Sequence, residues 1–396
     1  MTVTKRGLNR TNAVLGAAIS AALAAVLSSP LAAVAQNIKL PETLTVTAYD
    51  TGSSGFNIAV AVGKMYKDKH ASNMRVLPAG NDVARLAPLR GGRAQASYMG
   101  IGVYFAQEGV FEFGVKDWGP QQLRLILSAN DCNAIGLGVA KDAGVKQMKD
   151  LKGKRIGMVV GSPALNQNAL ALLAFGGLGK SDVKLVEFSS YGAMWKGILN
   201  NEADAAIAST ISAQPKEVET SPRGLVFPPT PAADKAGWAR LNKISPYYAP
   251  HLATCGIGMS KEKPSEQPNY PYPILMVYGS QSADLVYAMT KSMIVNYDGF
   301  KDTAPGAAGL ELKRQLLSWV VPYHDGAIKA FKEAEAWKPE HEKHQAALVK
   351  RQSVLETAFN GLVKANPPED KDAFGKAWQT VRAAALRKAG FEVIFE

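Results

Sequence analysis

Apolar positions recur along this chain in two periods that take turns. In LTVTAYD (44–50) they alternate with polar ones, as in a half-buried strand, and from Phe56 to Tyr66 the spacing becomes helical, with Ile58, Val62 and Met65 on one face. The exchange repeats. MRVLPAG (74–80) reads as a strand, a helix follows around Val83–Arg90, and ASYMGIG (96–102) and LRLILSAN (123–130) read as further strands. The pattern then restarts with a strand at AIGLGVAKD (134–142) and a short connector helix at VKQMKDLKGK (145–154). A strand, a Gly-Ser turn and a helix run through RIGMVVGSPALNQNALALLAFGGLG (155–179), and VKLVEFSS and ADAAIAST continue the series. Such alternation predicts parallel sheets covered by helices. Two α/β halves facing one another would enclose a cleft, where ligands of such sheets tend to sit.

From Ala213 to about Pro271 the pattern breaks into Pro-rich stretches, FPPTP and EKPSEQPNYPYP, and reads as irregular. PILMVYGS is one more strand and SADLVYAMTKSMIVNYDGF an amphipathic helix. Past Ala336 the residues become charged and helical, an appendage to the two halves.

The first residues read as an address. Lys5, Arg6 and Arg10 precede the apolar run AVLGAAISAALAAVLSSPLAAVA, and Ala33-Val34-Ala35 fits a small-x-small cleavage site. The competing reading is a membrane anchor, but the run is Ala-rich and broken by Pro30, and polar residues follow at once. Export to the periplasm with cleavage near Ala35 is expected.

Composition adds little to the pattern. The 396 residues are 47% hydrophobic and 20% charged, enough chain for two domains with cores of their own. The leader takes three positive residues and no negative one with it, leaving a formal +8 of the +11. The charges are interspersed and no basic patch carries interleaved aromatics, so nucleic acid is not an expected partner. Cys132 and Cys255 are the only cysteines. Export permits a bridge between them, yet their spacing is equally that of two unpaired small residues.

Several chemistries fail on spacing. GSSGFNIAVAVGK lacks the P-loop arrangement, and no G-x-G-x-x-G follows a strand. Gly52-Ser53-Ser54-Gly55 sets its second glycine one position too early for a hydrolase elbow, so a serine nucleophile at Ser53 or Ser54 is the weaker reading. His341 and His344 in EHEKH lie on a charged helix without the H-E-x-x-H order, and no Cys/His cluster accompanies them. Neither a metal nor another cofactor is expected. What remains is anion capture. A helix start presents unpaired N–H groups and a partial positive charge. Gly52 lets the main chain approach a ligand, and Thr51, Ser53 and Ser54 add hydroxyls. Taken singly, such a loop is more readily an N-cap. A counterpart at Gly161-Ser162 in the second half turns the pair toward a binding cleft.

Several stretches resemble the TAXI family, the extracytoplasmic solute receptors of TRAP transporters. TAYDTGSSGFNIAVAVGKMY resembles its opening strand–TGG/S–helix block, and LPAGNDVARLAPLRGGRAQASYMG the block that leads through "GEAD" to a strand. VKQMKDLKGKRIGMVVGSP is similar to its "LKGK" segment, GILNNEADAAIAST to its "G-x-I-D-A" strand, and PYHDGAIKAFKE to its closing "HPGA" segment. Together they cover most of Leu44 to Glu333, in order. The resemblance implies an α/β, type II periplasmic-binding-protein fold, two lobes joined by crossover strands, here with a helical C-terminal extension. It implies capture of a small organic anion such as an amino acid or oxo acid, and delivery to TRAP membrane permease subunits, without catalysis. A ligand sensor on the same fold is the alternative, and a serine hydrolase a more distant one.

Carried over by motif, Thr51, Gly52, Ser53 and Ser54 match the ligand loop of the first lobe. Gly161 and Ser162 match the turn of the second, and Ser209 and Thr210 the end of its strand. This chain departs from the pattern at Arg85, where the family often has Asn, and at Gly100 after Tyr98, where it often has Gln. Pro163 removes one N–H donor from the second turn, and Asn166 and Asn168 offer replacements. Arg85 is expected to grip a carboxylate, though an arginine there is as easily a surface residue. Tyr98, Tyr191 and Trp195 are expected to wall the ligand, though aromatics near strand ends often only fill the core. The expected boundaries are a signal peptide at 1–35, lobe I at 36–136 and 271–335, lobe II at 137–270, and the helical extension at 336–396.

Overall fold

The computed structural model describes residues 38–395, so the expected leader lies outside the described residues. The first sheet begins with β1 (Thr43–Ala48), whose end turns through Gly52 into α1 (Ser54–His70). Gly52 has φ +87°, a left-handed value that a side chain resists. β2 (Asn73–Pro78), α2 (Asp82–Arg90), β3 (Ala96–Met99), the short α3 (Gly102–Glu108) and β4 (Leu123–Ser128) follow.

The second sheet repeats the plan. It contains β5 (Ile135–Ala140), β6 (Arg155–Val159), α4 (Pro163–Phe175), β7 (Lys184–Phe188), α5 (Tyr191–Leu199) and β8 (Ala205–Ser209). Next come α6 (Ala213–Thr220), β9 (Leu225–Val226), α7 (Lys235–Ile244), β10 (Ala249–Ala253) and β11 (Ser265–Asn269). The chain then returns to the first sheet as β12 (Ile274–Tyr278), followed by α8 (Ala283–Val295) and α9 (Asp325–Glu333).

The strand orders, β2-β1-β3-β12-β4 and β7-β6-β8-β5-β9, have the same layout. In each, four strands run the same way, and the antiparallel one, fourth in the order, is the strand that has just crossed from the other lobe. This is the expected α/β, type II periplasmic-binding-protein fold. The central strands β3, β5 and β8 are buried at every position, while the edge strands β2 and β7 are largely open. Helices cover both faces of the middle of each sheet, so alternation gives way there to small and apolar residues throughout.

The two crossings run side by side. Tyr272 N–H donates to Ala129 O at 2.8 Å and Ala129 N–H to Pro273 O at 2.9 Å. Cys132 and Cys255 are bonded, with their Cα atoms 5.3 Å apart, so the bridge that spacing left open is made. The segment from Ala213 to Pro271, expected to be irregular, instead holds α6, α7 and a paired ribbon. Its prolines fit the elements. Pro215 lies in the first turn of α6, and Pro250 faces Pro268 in the two-stranded β10–β11 ribbon, which has free edges that need no donor. The expected connector helix at 145–154 shrinks to a 3₁₀ turn, Met148–Leu151.

Two further helices, α10 (Pro339–Lys364) and α11 (Lys371–Lys388), pack on each other through Leu355, Phe359, Phe374, Trp378 and Leu386. They are fixed to lobe I. Arg351 and Arg382 both reach the buried Glu108, and Trp378 Nε1 donates to Gly109 O at 2.6 Å.

Candidate functional site

The loop Thr51–Ser54 and the turn Gly161–Ser162 border one crevice, each bonded to the opposite lobe. Gly52 O accepts Ala213 N–H at 3.0 Å, Thr51 O accepts Gln214 Nε2 at 2.7 Å, and Ser54 N–H donates to Ser212 Oγ at 3.2 Å. Across the gap Gly161 O accepts Val83 N–H at 3.2 Å, and Gly80 O accepts Tyr191 N–H at 3.0 Å. The lobes are shut. Between them remains a cavity of about 20 Å³, lined by Tyr49, Leu165, Asn168, Tyr191, Ser209, Ser212, Tyr270 and Tyr272 among others. That is room for roughly one water molecule, so any solute requires the lobes to part.

Two carboxylates of lobe I reach across to helix starts of lobe II. Asp50 Oδ2 accepts Gly192 N–H at 2.8 Å, in the first turn of α5. Asp82 Oδ2 accepts Ala164 N–H at 2.8 Å and Ser162 Oγ at 3.2 Å, at the start of α4. Both positions are electrostatically favourable, because unpaired amides and the helix dipole attract negative charge. Motif reading passed over both aspartates, as it did Tyr49, Ser212, Tyr270 and Tyr272. Asp82 follows an N-capping Asn81 at a helix start, the signature of a cap, and the chain distance to Ser162 hides its second role.

Arg85 departs from both readings of it. It is fully buried, ion-paired with Asp82 through Nη2, and its guanidinium carbon lies 3.1 Å from the ring centroid of Tyr49. It is neither a surface arginine nor an open grip, since Asp82 already holds one of its nitrogens. Its Nη1 is buried without a partner.

The other expected residues divide. Tyr191 and Ser209 line the cavity. Gly100 backs the tyrosine cluster, for a Cβ there would lie 3.3 Å from Tyr49 Oη and 3.5 Å from Tyr270 Oη. Ser53 Oγ caps its own helix, accepting Phe56 N–H at 3.2 Å, so the capping reading describes it. Thr210 is tied to the crossing, with Oγ1 donating to Cys255 O at 3.1 Å and accepting Ala134 N–H at 3.2 Å. Asn166 spends its amide on Val159 N–H and Val159 O, both at 2.9 Å. Asn168, not Asn166, turns to the cluster, with Tyr270 Oη at 3.1 Å and Tyr247 Oη at 2.8 Å. Tyr98 is buried in lobe I away from the cavity lining. Trp195 is buried too, with Nε1 donating to Ile207 O at 3.4 Å.

The cluster is a set of protonated hydroxyls. Burial pushes Tyr272 up to about 12 and raises Tyr49, Tyr191 and Tyr270 well above their ordinary range. Tyr49 meets Tyr191 and Tyr272 edge to face, each at 6.0 Å between centroids. A larger hollow of about 880 Å³ lies beside the crevice, lined by Asn81, Glu112, Lys116, Gly161, Glu187 and Lys371 among others. It is an open groove of mixed charge. Hydroxyls of both lobes, Tyr49 from the first and Tyr191, Ser209 and Ser212 from the second, line the smaller cavity. Among the described residues no group of His, Cys, Asp or Glu is placed to hold a metal ion, and no helix is long and apolar enough to cross a membrane.

Residues 46–334 match the model of the NMT1-like family. No curated protein matches the sequence. Among solved structures, the alkanesulfonate-binding protein SsuA from Xanthomonas axonopodis pv. citri, bound to MOPS, is 16% identical, covering 83% of this chain and 96% of its own at a TM-score of 0.42. The periplasmic aliphatic sulphonate binding protein SsuA from Escherichia coli is 14% identical, covering 90% and 92% at 0.39. An ancestral arginine-binding protein bound to arginine is 14% identical, covering 74% and 98% at 0.39. At such scores nothing about ligands passes from those proteins to this chain.

Proposed function

The chain belongs to the NMT1-like family, and on that footing we propose that it is an exported solute-binding receptor that closes on a small organic acid between its lobes. The bound solute is then handed to a membrane permease of the TRAP kind, driven by an ion gradient. One observation carries the reading. Helix starts of lobe II, the serine-rich loop of lobe I, Arg85 and four buried tyrosines meet in one crevice whose two walls belong to different lobes. That arrangement holds a solute. For attack on one, Ser53 or Ser54 would need a base, but Ser53 caps its helix and Ser54 Oγ lies 3.5 Å from another serine, Ser212. Hinge closure around the ligand buries it and forms a composite surface for the permease.

The test is a thermal-shift panel of small amino, oxo and aliphatic acids, with product analysis of each mixture. A ligand at a hundred times its Kd adds about 2.7 kcal/mol of stability. The expected result is saturable stabilisation by at least one acid, recovered unchanged. Conversion of an acid derivative that Ser54→Ala abolishes would replace this reading with a hydrolase.

A further inference from the structure

We propose that Asp82 is a built-in stand-in for the solute's acid group: the solute carries a carboxylate, and it binds by displacing Asp82 from the start of α4. The inference rests on the preceding reading of the crevice as an acid site and names how that site is regulated.

Each oxygen of Asp82 is served by one lobe. Oδ1 takes Arg85 Nη2 and Tyr49 Oη, the latter at 3.3 Å, from lobe I. Oδ2 takes Ser162 Oγ at 3.2 Å and Ala164 N–H at 2.8 Å from lobe II. Four donors thus surround a planar, two-oxygen anion that bridges the closing surfaces, and both members of the Asp82–Arg85 pair are fully buried. Arg85 Nη1 remains a buried donor without a partner, so the cradle has capacity for more anion than Asp82 supplies. The seat is also shaped for the carboxylate. A Cβ on Gly102 would lie 2.7 Å from Asp82 Cγ, closer than such contacts allow.

A solute that enters with its own carboxylate inherits all four donors, and its body falls on Tyr49, Tyr270 and Tyr272. Asp82 competes for the same place from within the chain. The free protein is therefore closed on itself, and apparent affinity is reduced by the fraction of molecules in which Asp82 is released. Removing the carboxylate should open the free protein and tighten acid binding together.

The experiment compares wild type with Asp82→Ala and Asp82→Asn. Asp82→Asn keeps the shape of the side chain and an acceptor for Arg85 but removes the charge, which covers the case that Arg85 left alone impairs folding of Asp82→Ala. The radius of gyration of the free proteins is measured by small-angle scattering. Calorimetry then follows acetate, hexanoate, succinate, 2-oxoglutarate and L-glutamate, with hexanamide and succinamide as uncharged controls. The expected result is a larger free Asp82→Ala and Asp82→Asn, compacted by an acid that each binds at least tenfold tighter than wild type does, and no response to the amides. If wild type binds an acid and the folded variants bind it equally or more weakly, Asp82 is a contact and not a competitor, and the proposal falls alone. If neither wild type nor the folded variants take any of the acids, the acid site falls and this proposal with it.

Discussion

Glu108 and Arg351 meet end to end inside lobe I, with Nε to Oε1 at 2.6 Å and Nη2 to Oε2 at 2.7 Å. Arg382 joins them from the next helix, and all three side chains are buried. Removing one partner of such a set strands charge away from water, at a typical cost of about 3–5 kcal/mol. Glu108→Ala should therefore lower the denaturation midpoint severely and release α10 and α11 to protease before the lobes unfold. An unchanged midpoint would show that the helices are held by their apolar contacts alone.

The same carboxylate sets an acid limit. Burial by itself raises Glu108, but the guanidinium groups of Arg351 and Arg382 outweigh it and hold the carboxyl below its ordinary range. A group depressed in the folded state adds stability above its unfolded value and loses it as pH falls through the folded one. Attachment of the C-terminal helices should thus be independent of pH above the ordinary carboxylate value of 4.5 and weaken below it. Limited proteolysis across pH, in wild type and Glu108→Gln, reads this directly. The variant should be weaker throughout and lose the acid step, and a step of equal size in both would assign it to other groups.

The lobes, their strands and the two helix-start loops were legible because each half repeats a strand, a small-residue turn and an apolar helix. Most of what was hidden has one physical cause: pairs far apart in sequence. Asp82 and Ser162 lie 80 residues apart, and Glu108 and Arg351 lie 243 apart. Local pattern says that Asp82 starts a helix and that Arg351 lies on a charged one, and both statements are true. It carries no information on which opposite charge each meets. The tyrosines at 270 and 272 were masked differently, by prolines that made their segment look like linker.

Cys132 and Cys255 close a loop across 123 residues, from the first crossing to the segment after β10. A bridge of this span restricts the unfolded chain and typically contributes about 2–4 kcal/mol. Reduction, or Cys132→Ser with Cys255→Ser, should lower thermal stability accordingly while the lobes still fold. The pair of unfolding curves, with and without reductant, checks it. Coincident curves for wild type, with reduction verified by thiol titration, would contradict the prediction.

Arg85 is the charged donor of lobe I in the crevice, so Arg85→Ala should weaken whichever acid stabilises wild type by about 1.5–3 kcal/mol, the worth of a charge-assisted hydrogen bond. It also strands Asp82, so folding stability should drop in the same variant. Adding Asp82→Ala should restore part of the stability and, with the competing carboxylate gone, raise affinity above that of Arg85→Ala alone, though not to that of the single Asp82→Ala, since no cation returns. Calorimetry for the acid and denaturation for the fold separate the two effects. Unaltered affinity in a folded Arg85→Ala would remove Arg85 from the site.

Ser53 provides the opposite case, an expected ligand hydroxyl that the fold has already engaged. Its Oγ accepts Phe56 N–H at the mouth of α1, and the residue is 2% exposed. Loss of such a cap costs about 1 kcal/mol. Ser53→Ala should show that small drop in stability, with acid affinity unchanged within a factor of two. Ser212→Ala should behave differently. It removes the acceptor for Ser54 N–H from the opposite lobe, so it should loosen the closed state and shift affinity. If Ser53→Ala instead costs tenfold in affinity at constant stability, the hydroxyl leaves its cap to meet the solute when the lobes open.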